Sequence, residues 1–455
     1  MFKRKFYDEM LEWKNRDQGA SALLIEGARR VGKSTIAEAF AKREYDSYLA
    51  IDFSEAPQEV LDLFRQYRQD LETFFTYLSA YYEVNLVPRH SVIIFDEVQS
   101  FPPAREFIKR LVADGRFDYI ETGSLLSIHQ NVKDIVIPSE EQSGELNPLD
   151  FEEFLWAYGN EQLAYAIRDS FEHMRPLPSA LHNKAMRLLR EYMLVGGMPQ
   201  VVEDYIKQRD FGSADRIKRR ILNLYRQDVA KYAQGYEAKV MAVFDAIPAQ
   251  LSRKEKRFRI TSIGKNARMR DYRDSFFWLS DARVTNNCYN STDPDVGLGL
   301  NEDEAKVKCY MADTGLLSAL TFADRKTTPA SLYKDVLFGK LAFNEGMFVE
   351  NLVAQQLRAS GHRLFFYSCG NHEDKYGAME IDFLITREFE NSAMKARISP
   401  IEAKSGIRYG TVSLNKFKEK FGKRVGMRFV LAPKPMVVDK AAECITLPLY
   451  MAHCL

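Results

Sequence analysis

Cysteine is scarce and scattered in these 455 residues. Cys288, Cys309, Cys369, Cys444 and Cys454 are odd in number and form no C-x-x-C pair. Their spacing therefore gives neither a disulfide framework nor a zinc site. Long apolar runs are missing too: none reaches the roughly 18 to 20 residues that cross a bilayer, so no membrane partner is expected. The first residues, MFKRKFYDEMLEWKNRD, are polar and helix-like and lack the apolar core of a secretion signal. The expected location is the cytoplasm. There is no internal repeat, no low-complexity tract and almost no net charge, +1 in all. Apolar residues at 46% and charged residues at 28% exclude a disordered chain. The length is too great for one core and calls for several domains.

Charge is present but unevenly placed. Residues 207–273 hold 18 Lys/Arg against 7 Asp/Glu, and residues 336–455 hold 17 against 12. A local basic excess is the electrostatic footprint of a polyanion partner, although solvated helix faces carry the same residues. The pattern along the chain divides it further. The first 150 residues alternate short apolar runs (Ala22–Glu26, Tyr48–Phe53, Ser91–Phe95, Tyr119–Thr122) with helical stretches (Ser34–Lys42, Pro57–Tyr82, Pro103–Ala113). That alternation predicts a parallel sheet covered by helices. Residues 151–235 read as helical. Residues 236–325 read as short helices followed by two strands, the order of a winged helix, and residues 336–455 as a mixed α/β domain.

One motif carries the chemistry. Gly27-Ala28-Arg29-Arg30-Val31-Gly32-Lys33-Ser34 fits G-x-x-x-x-G-K-[ST], follows an apolar strand and opens a helix at Thr35. Glycines let backbone N–H groups curl around phosphates, and the helix N-terminus adds its positive end. Lys33 is expected to reach the β- and γ-phosphates of ATP, and the Ser34 hydroxyl to ligate Mg²⁺. Downstream, Val92-Ile93-Ile94-Phe95 runs into Asp96-Glu97. Asp96 would hold the Mg²⁺, and Glu97 would orient and deprotonate the attacking water. The next strand ends in Thr122-Gly123-Ser124, where a hydroxyl would lie between the two motifs; a helix cap explains the same residues equally well.

These segments resemble the prokaryotic AAA-type ATPases with a C-terminal domain of unknown function. The resemblance rests on Gly27–Thr35, Phe95–Gln99 and Thr122–Ser124. It extends to Asn147–Phe154, Gly196–Pro199, Arg226–Val229, Ala312–Leu317 and Val349–Val353. It implies an ATPase core, a helical and winged-helix middle, and a C-terminal domain akin to restriction endonucleases. The chain departs at Ser143-Gly144-Glu145, where the family carries a Gly-Arg pair. An arginine expected near the nucleotide is therefore missing.

In the C-terminal part, Glu350 lies on one helical stripe with Val353, Ala354 and Leu357. Asp382 follows in the strand-like run Met379–Ile385, then Glu402-Ala403-Lys404 in the next one. Residues two apart on a strand share a face. With a helix at Ser413–Phe421 and a strand at Met427–Ala432, the set resembles a PD-(D/E)XK nuclease core. Glu350, Asp382 and Glu402 would hold Mg²⁺ or Mn²⁺, with Glu380 as the alternative ligand, and Lys404 would stabilise the attacking water. Such cores also persist as binding platforms that do not cleave. In the middle region Arg268, Arg270, Tyr272 and Arg273 stand where a recognition helix would meet duplex DNA, while Phe276, Phe277 and Trp278 read as core. The expected function is Mg-dependent ATP hydrolysis coupled to a DNA-directed module, with or without nuclease activity. The alternative is an ATP-dependent switch or scaffold whose nuclease-like domain is inactive. A homo-oligomer is compatible with either.

Overall fold

Strand β1 (Ala22–Glu26) is buried at all five positions, its apolar run Ala22–Ile25 covered on both faces and Glu26 buried at its end. It lies between β4 (Asp118–Gly123) and β5 (Glu141–Glu145) in a sheet ordered β2-β3-β4-β1-β5, with β2 at Ser47–Asp52 and β3 at Ser91–Asp96. Every pairing in it is parallel. Residues 1–123, 139–253, 257–323, 328–337, 345–370, 376–388 and 396–455 are described by this computed structural model. Ser124, read above as a hydroxyl between the two motifs or a helix cap, lies outside them. The described residues form two compact units, Met1–Asn147 with Asp281–Arg283, and Pro148–Ser280 with Val284–Leu455. No helix among them is long and apolar enough to cross a membrane.

In the first unit the sheet is flanked by α1 (Phe6–Asp17), α2 (Lys33–Glu44), α3 (Gln58–Gln66), α4 (Leu71–Tyr82) and α5 (Pro102–Asp114). Phe53, Phe64, Phe74, Phe95, Phe101 and Phe107 share one buried cluster. The stretch 57–82, read above as one helix, is two. Asp70 accepts a hydrogen bond from Thr73 N at 3.2 Å and so starts a new helix where the first has ended. The sequence reading missed β5 altogether. Glu-Gln-Ser-Gly-Glu has no apolar pattern, because an edge strand need bury little.

The second unit holds an eight-stranded mixed sheet ordered β12-β13-β11-β10-β9-β8-β6-β7. Its strands are β6 (Thr285–Ser291), β7 (Glu302–Met311), β8 (Phe365–Cys369), β9 (Met379–Glu388), β10 (Ala396–Ala403), β11 (Arg428–Ala432), β12 (Val437–Asp439) and β13 (Cys444–Pro448). β9 runs antiparallel to both β8 and β10, while β8 is parallel to β6 and β11 to β10. The hairpin β6–β7, expected as a wing, joins this sheet through β6, which pairs with β8 at Tyr289 and Asn290. Helices α6 (Phe151–Ala157), α7 (Glu161–Glu172), α8 (Ser179–Val195), α9 (Pro199–Gln208), α10 (Phe211–Tyr232), α11 (Glu237–Leu251) and α12 (Arg273–Asp281) precede it. Helices α13 (Thr314–Thr321), α14 (Ala330–Leu337), α15 (Glu345–Ala359) and α16 (Val412–Phe421) are interleaved with it. Phe276 and Trp278 are core, as expected, but Phe277 is 62% exposed. Successive helical positions turn by about 100°, so three consecutive aromatics cannot share one buried face.

Several quoted motifs meet in a buried polar junction of this unit. Asp313 accepts hydrogen bonds from Gly197 N at 2.6 Å and Leu316 N at 2.8 Å. Tyr192 donates to Leu149 O at 2.6 Å, and Gln355 donates to the Tyr192 hydroxyl at 2.9 Å. Asn351 bonds both backbone groups of Met311, while Gln355 and Gln356 accept from Thr314 N and Phe151 N. The glycines are required here by space. A Cβ on Gly197 would stand 2.0 Å from Leu149 O, and one on Gly315 2.1 Å from Val195 O.

Candidate functional site

The loop Gly27–Gly32 links the buried end of β1 to the first turn of α2. Gly32, at the helix N-cap, has φ 101°, a backbone conformation that side chains with a Cβ rarely adopt. Gly27 lies close to the neighbouring chain, where a Cβ would stand 2.4 Å from Leu146 O. Ala28 and Val31 are buried and anchor the loop, whereas Arg29, Arg30 and Thr35 are exposed. Lys33 is buried, and its ammonium donates to Gly27 O at 3.0 Å and Ala28 O at 3.2 Å. The ammonium thus lies along the inside of the loop, the position from which it can be handed to a phosphate.

The parallel order places β4 between β1 and β3, and this brings the separate motifs together. Ser34 Oγ donates to Asp96 Oδ1 at 2.8 Å, so the hydroxyl and carboxylate expected to share one cation converge. Thr122, on β4, donates to the same Asp96 oxygen and accepts from Glu97 N at 3.3 Å. Glu97 has φ 51° and ψ 46°, a left-handed conformation uncommon outside glycine and often kept at functional positions. Gln99 Nε2 donates to its carboxylate. Gln99 lies in the Phe95–Gln99 segment but was given no role by the sequence reading.

Residues 20–155 match the family model described as an AAA domain. The N-terminal region is an AAA-type P-loop ATPase domain. Two further models match, a Domain of unknown function (DUF8612) over residues 186–327 and a Domain of unknown function (DUF4143) over residues 345–450. No curated protein matches the chain. Among solved structures, PCH-2 from C. elegans is 12% identical with a TM-score of 0.23, covering 36% of this chain and 48% of its own. This chain thus spans about half of that protein. AMPPCP-bound DnaA from Aquifex aeolicus is 11% identical at a TM-score of 0.28, covering 61% of this chain and 80% of its own. A Signal Transduction ATPase with Numerous Domains protein with a tetratricopeptide repeat sensor, from Pyrococcus horikoshii, is 11% identical at 0.28, covering 78% and 48%. Superpositions this loose carry no argument, and the site rests on its own geometry.

Position 145, where the resemblance leads to an arginine, carries a glutamate that is held by an arginine from far along the chain. Arg283, in the short segment that belongs to the first unit, pairs with Glu145 at 3.0 Å and with Glu26 at 3.4 Å. Burial pushes the Glu26 carboxyl above its usual range, and the Arg283 guanidinium opposes that shift. The pairing spans 257 positions between Glu26 and Arg283 and leaves no trace in local pattern.

The C-terminal residues also come together, but around a cation the sequence reading did not name. Glu402, on β10, is buried and pairs with Lys404 at 2.7 Å, as their spacing predicts. Asp382 Oδ2, on β9, accepts from Ala403 N at 2.9 Å. Glu350, on α15, accepts from the Tyr310 hydroxyl at 3.1 Å. Lys308, on β7 and fully buried, places its ammonium 2.6 Å from Glu380 Oε1 and 3.7 Å from Asp382 Oδ1, over the Phe366 ring. Burial alone would push the Lys308 pKa down, but Glu380, Asp382 and Glu350 together push it up, so the group stays charged. Among the described residues no group of three or more His, Cys, Asp or Glu is arranged to hold a metal ion. The expected ligands Glu350, Asp382 and Glu402 therefore do not fit a divalent cation as they stand.

Proposed function

We propose that this protein binds Mg-ATP on Gly27–Ser34 and hydrolyses it, and that the nucleotide state governs a DNA-directed second unit. The observation that carries the first clause is the convergence of Ser34, Asp96 and Thr122 beside the Lys33-lined loop. In this reading the loop amides and the start of α2 take the phosphates, with Lys33 on the β- and γ-oxygens. Ser34 and Asp96 hold Mg²⁺, which when bound neutralises charge on the phosphates. Glu97 orients and deprotonates the attacking water, released from Gln99 for that purpose. Support for the DNA clause is the basic excess over residues 207–273 and the exposure of Arg268, Arg270 and Arg273 around the start of α12. These arginines would form the face that meets the duplex.

The order helix, three strands, helix, strand in α15, β8, β9, β10, α16 and β11 supports the nuclease-like reading of the C-terminal part. The buried Lys308 among its carboxylates favours the reading in which this core does not cleave. The decisive experiment measures ATP turnover by the purified chain with and without duplex DNA. Turnover stimulated by DNA and abolished by Lys33→Ala and by Asp96→Ala is the expected result. Unstimulated turnover would remove the DNA clause, and turnover that survives Lys33→Ala would remove the site.

A further inference from the structure

We propose that Lys308 is a built-in counter-ion standing where a divalent cation would sit, so that the Glu350, Glu380, Asp382 and Glu402 carboxylates take up no metal. The inference rests on the nuclease-like reading of these residues and says what has become of its chemistry. Phosphodiester hydrolysis of the expected kind needs a hard divalent ion to bind the phosphate oxygens and to lower the pKa of the attacking water. An ammonium can do neither. It carries one charge, makes hydrogen bonds longer than the ~2.1 Å that Mg²⁺ requires, and offers no open coordination position.

Each carboxylate in the cluster already has a polar or charged neighbour. Glu380 has the Lys308 ammonium, Asp382 has Ala403 N, Glu402 has Lys404 and Glu350 has the Tyr310 hydroxyl. A divalent ion would have to compete with two lysines for the same oxygens, and its charge would repel the Lys308 ammonium at close range. Lys308 cannot easily withdraw. It comes from β7, its side chain has no exposure, and Phe366 lies beneath its ammonium. The lysine of the E-x-K pattern, Lys404, is by contrast partly exposed and sits at the rim.

The test is Mn²⁺ titration of the nucleotide-free full-length protein, read by the loss of free-ion electron paramagnetic resonance signal. Wild type is expected to bind no Mn²⁺ at this cluster. Lys308→Met is expected to gain one equivalent at least tenfold tighter than anything in wild type, and Asp382→Asn added to it should remove that equivalent again. Lys308→Gln, a milder change, repeats the measurement should the methionine variant fail to fold. One equivalent bound by wild type and lost in Asp382→Asn alone would overturn the proposal. So would an absence of binding in wild type and in both folded Lys308 variants, since the carboxylates would then be no latent site. ATP affinity measured on the same preparations reports the phosphate loop separately, so its loss would count against the ATPase reading and not against this one.

Discussion

Glutamate 121 offers a sharp test of the electrostatics beneath the nucleotide site. It lies on β4 between Leu24 of β1 and Phe95 of β3, is fully buried, and immediately precedes Thr122. Nearby, Arg105 makes a two-pronged contact with Glu141, at 2.9 and 2.7 Å, with both side chains buried. Arg105 is thus taken by Glu141. Burial first, and then the negative charge of Glu141, push the Glu121 carboxyl well above its usual range. The folded state therefore holds a proton that the unfolded chain releases above its ordinary value near 4.5. With the folded pKa raised, stability is full below the unfolded value and falls as pH climbs towards the folded one. Within that window one such group sets a slope of about 1.4 kcal/mol per pH unit. Glu121→Gln keeps the shape and has no proton to lose, so this contribution to the slope should vanish. Trp13 is buried in the same unit and can report its unfolding by urea once Trp156 and Trp278 are replaced by Phe. Melts at successive pH values above the ordinary carboxylate range should show the parent losing stability with rising pH faster than the variant. Parallel pH dependences in the two proteins would refute the buried-acid argument.

Two further outcomes follow from the first unit. Thr122→Val keeps the size but removes the hydroxyl that joins Asp96 to the Glu97 backbone. Turnover should fall about tenfold with little change in KM, the signature of misplaced chemistry rather than weakened binding, and an unchanged kcat would dismiss the role. Arg283→Met leaves Glu26 buried without its guanidinium, which should cost about 1–2 kcal/mol at neutral pH and push the Glu26 pKa higher. Because that group is also raised, the loss should deepen as pH rises, and a loss that shrank with rising pH in the Trp13-reported melts would contradict the pairing.

What could be read from the sequence was local. The phosphate loop is contiguous, and β1 was legible because its residues Ala22–Ile25 form an unbroken apolar run, as a strand buried on both faces requires. The run Val92–Phe95 ahead of Asp96 and Glu97 was legible as strand β3 for the same reason. Features held by distant pairing were invisible. Arg283 takes up Glu26 and Glu145 from a turn far along the chain, and Lys308 looks like any strand residue until β6 and β8 bring β7 towards β9. The E-x-K pair was visible because its two members share a strand face, yet what neutralises the other carboxylates comes from another part of the chain. Edge strand β5 was missed because its residues are polar, and the break before α4 because its signal is a single capping aspartate.

The amide side chains of α15 bear on how the gene could be divided. The matched regions 186–327 and 345–450 suggest a cut between them. Such a cut would separate Asn351, Gln355 and Gln356 from Met311, Thr314, Phe151 and Tyr192, their partners upstream. A fragment beginning at α15 would then present three stranded carboxamides along a helix face otherwise made for burial, inviting aggregation. The two regions that match separate families lie, in this chain, almost wholly within one compact unit and should be expressed and engineered together.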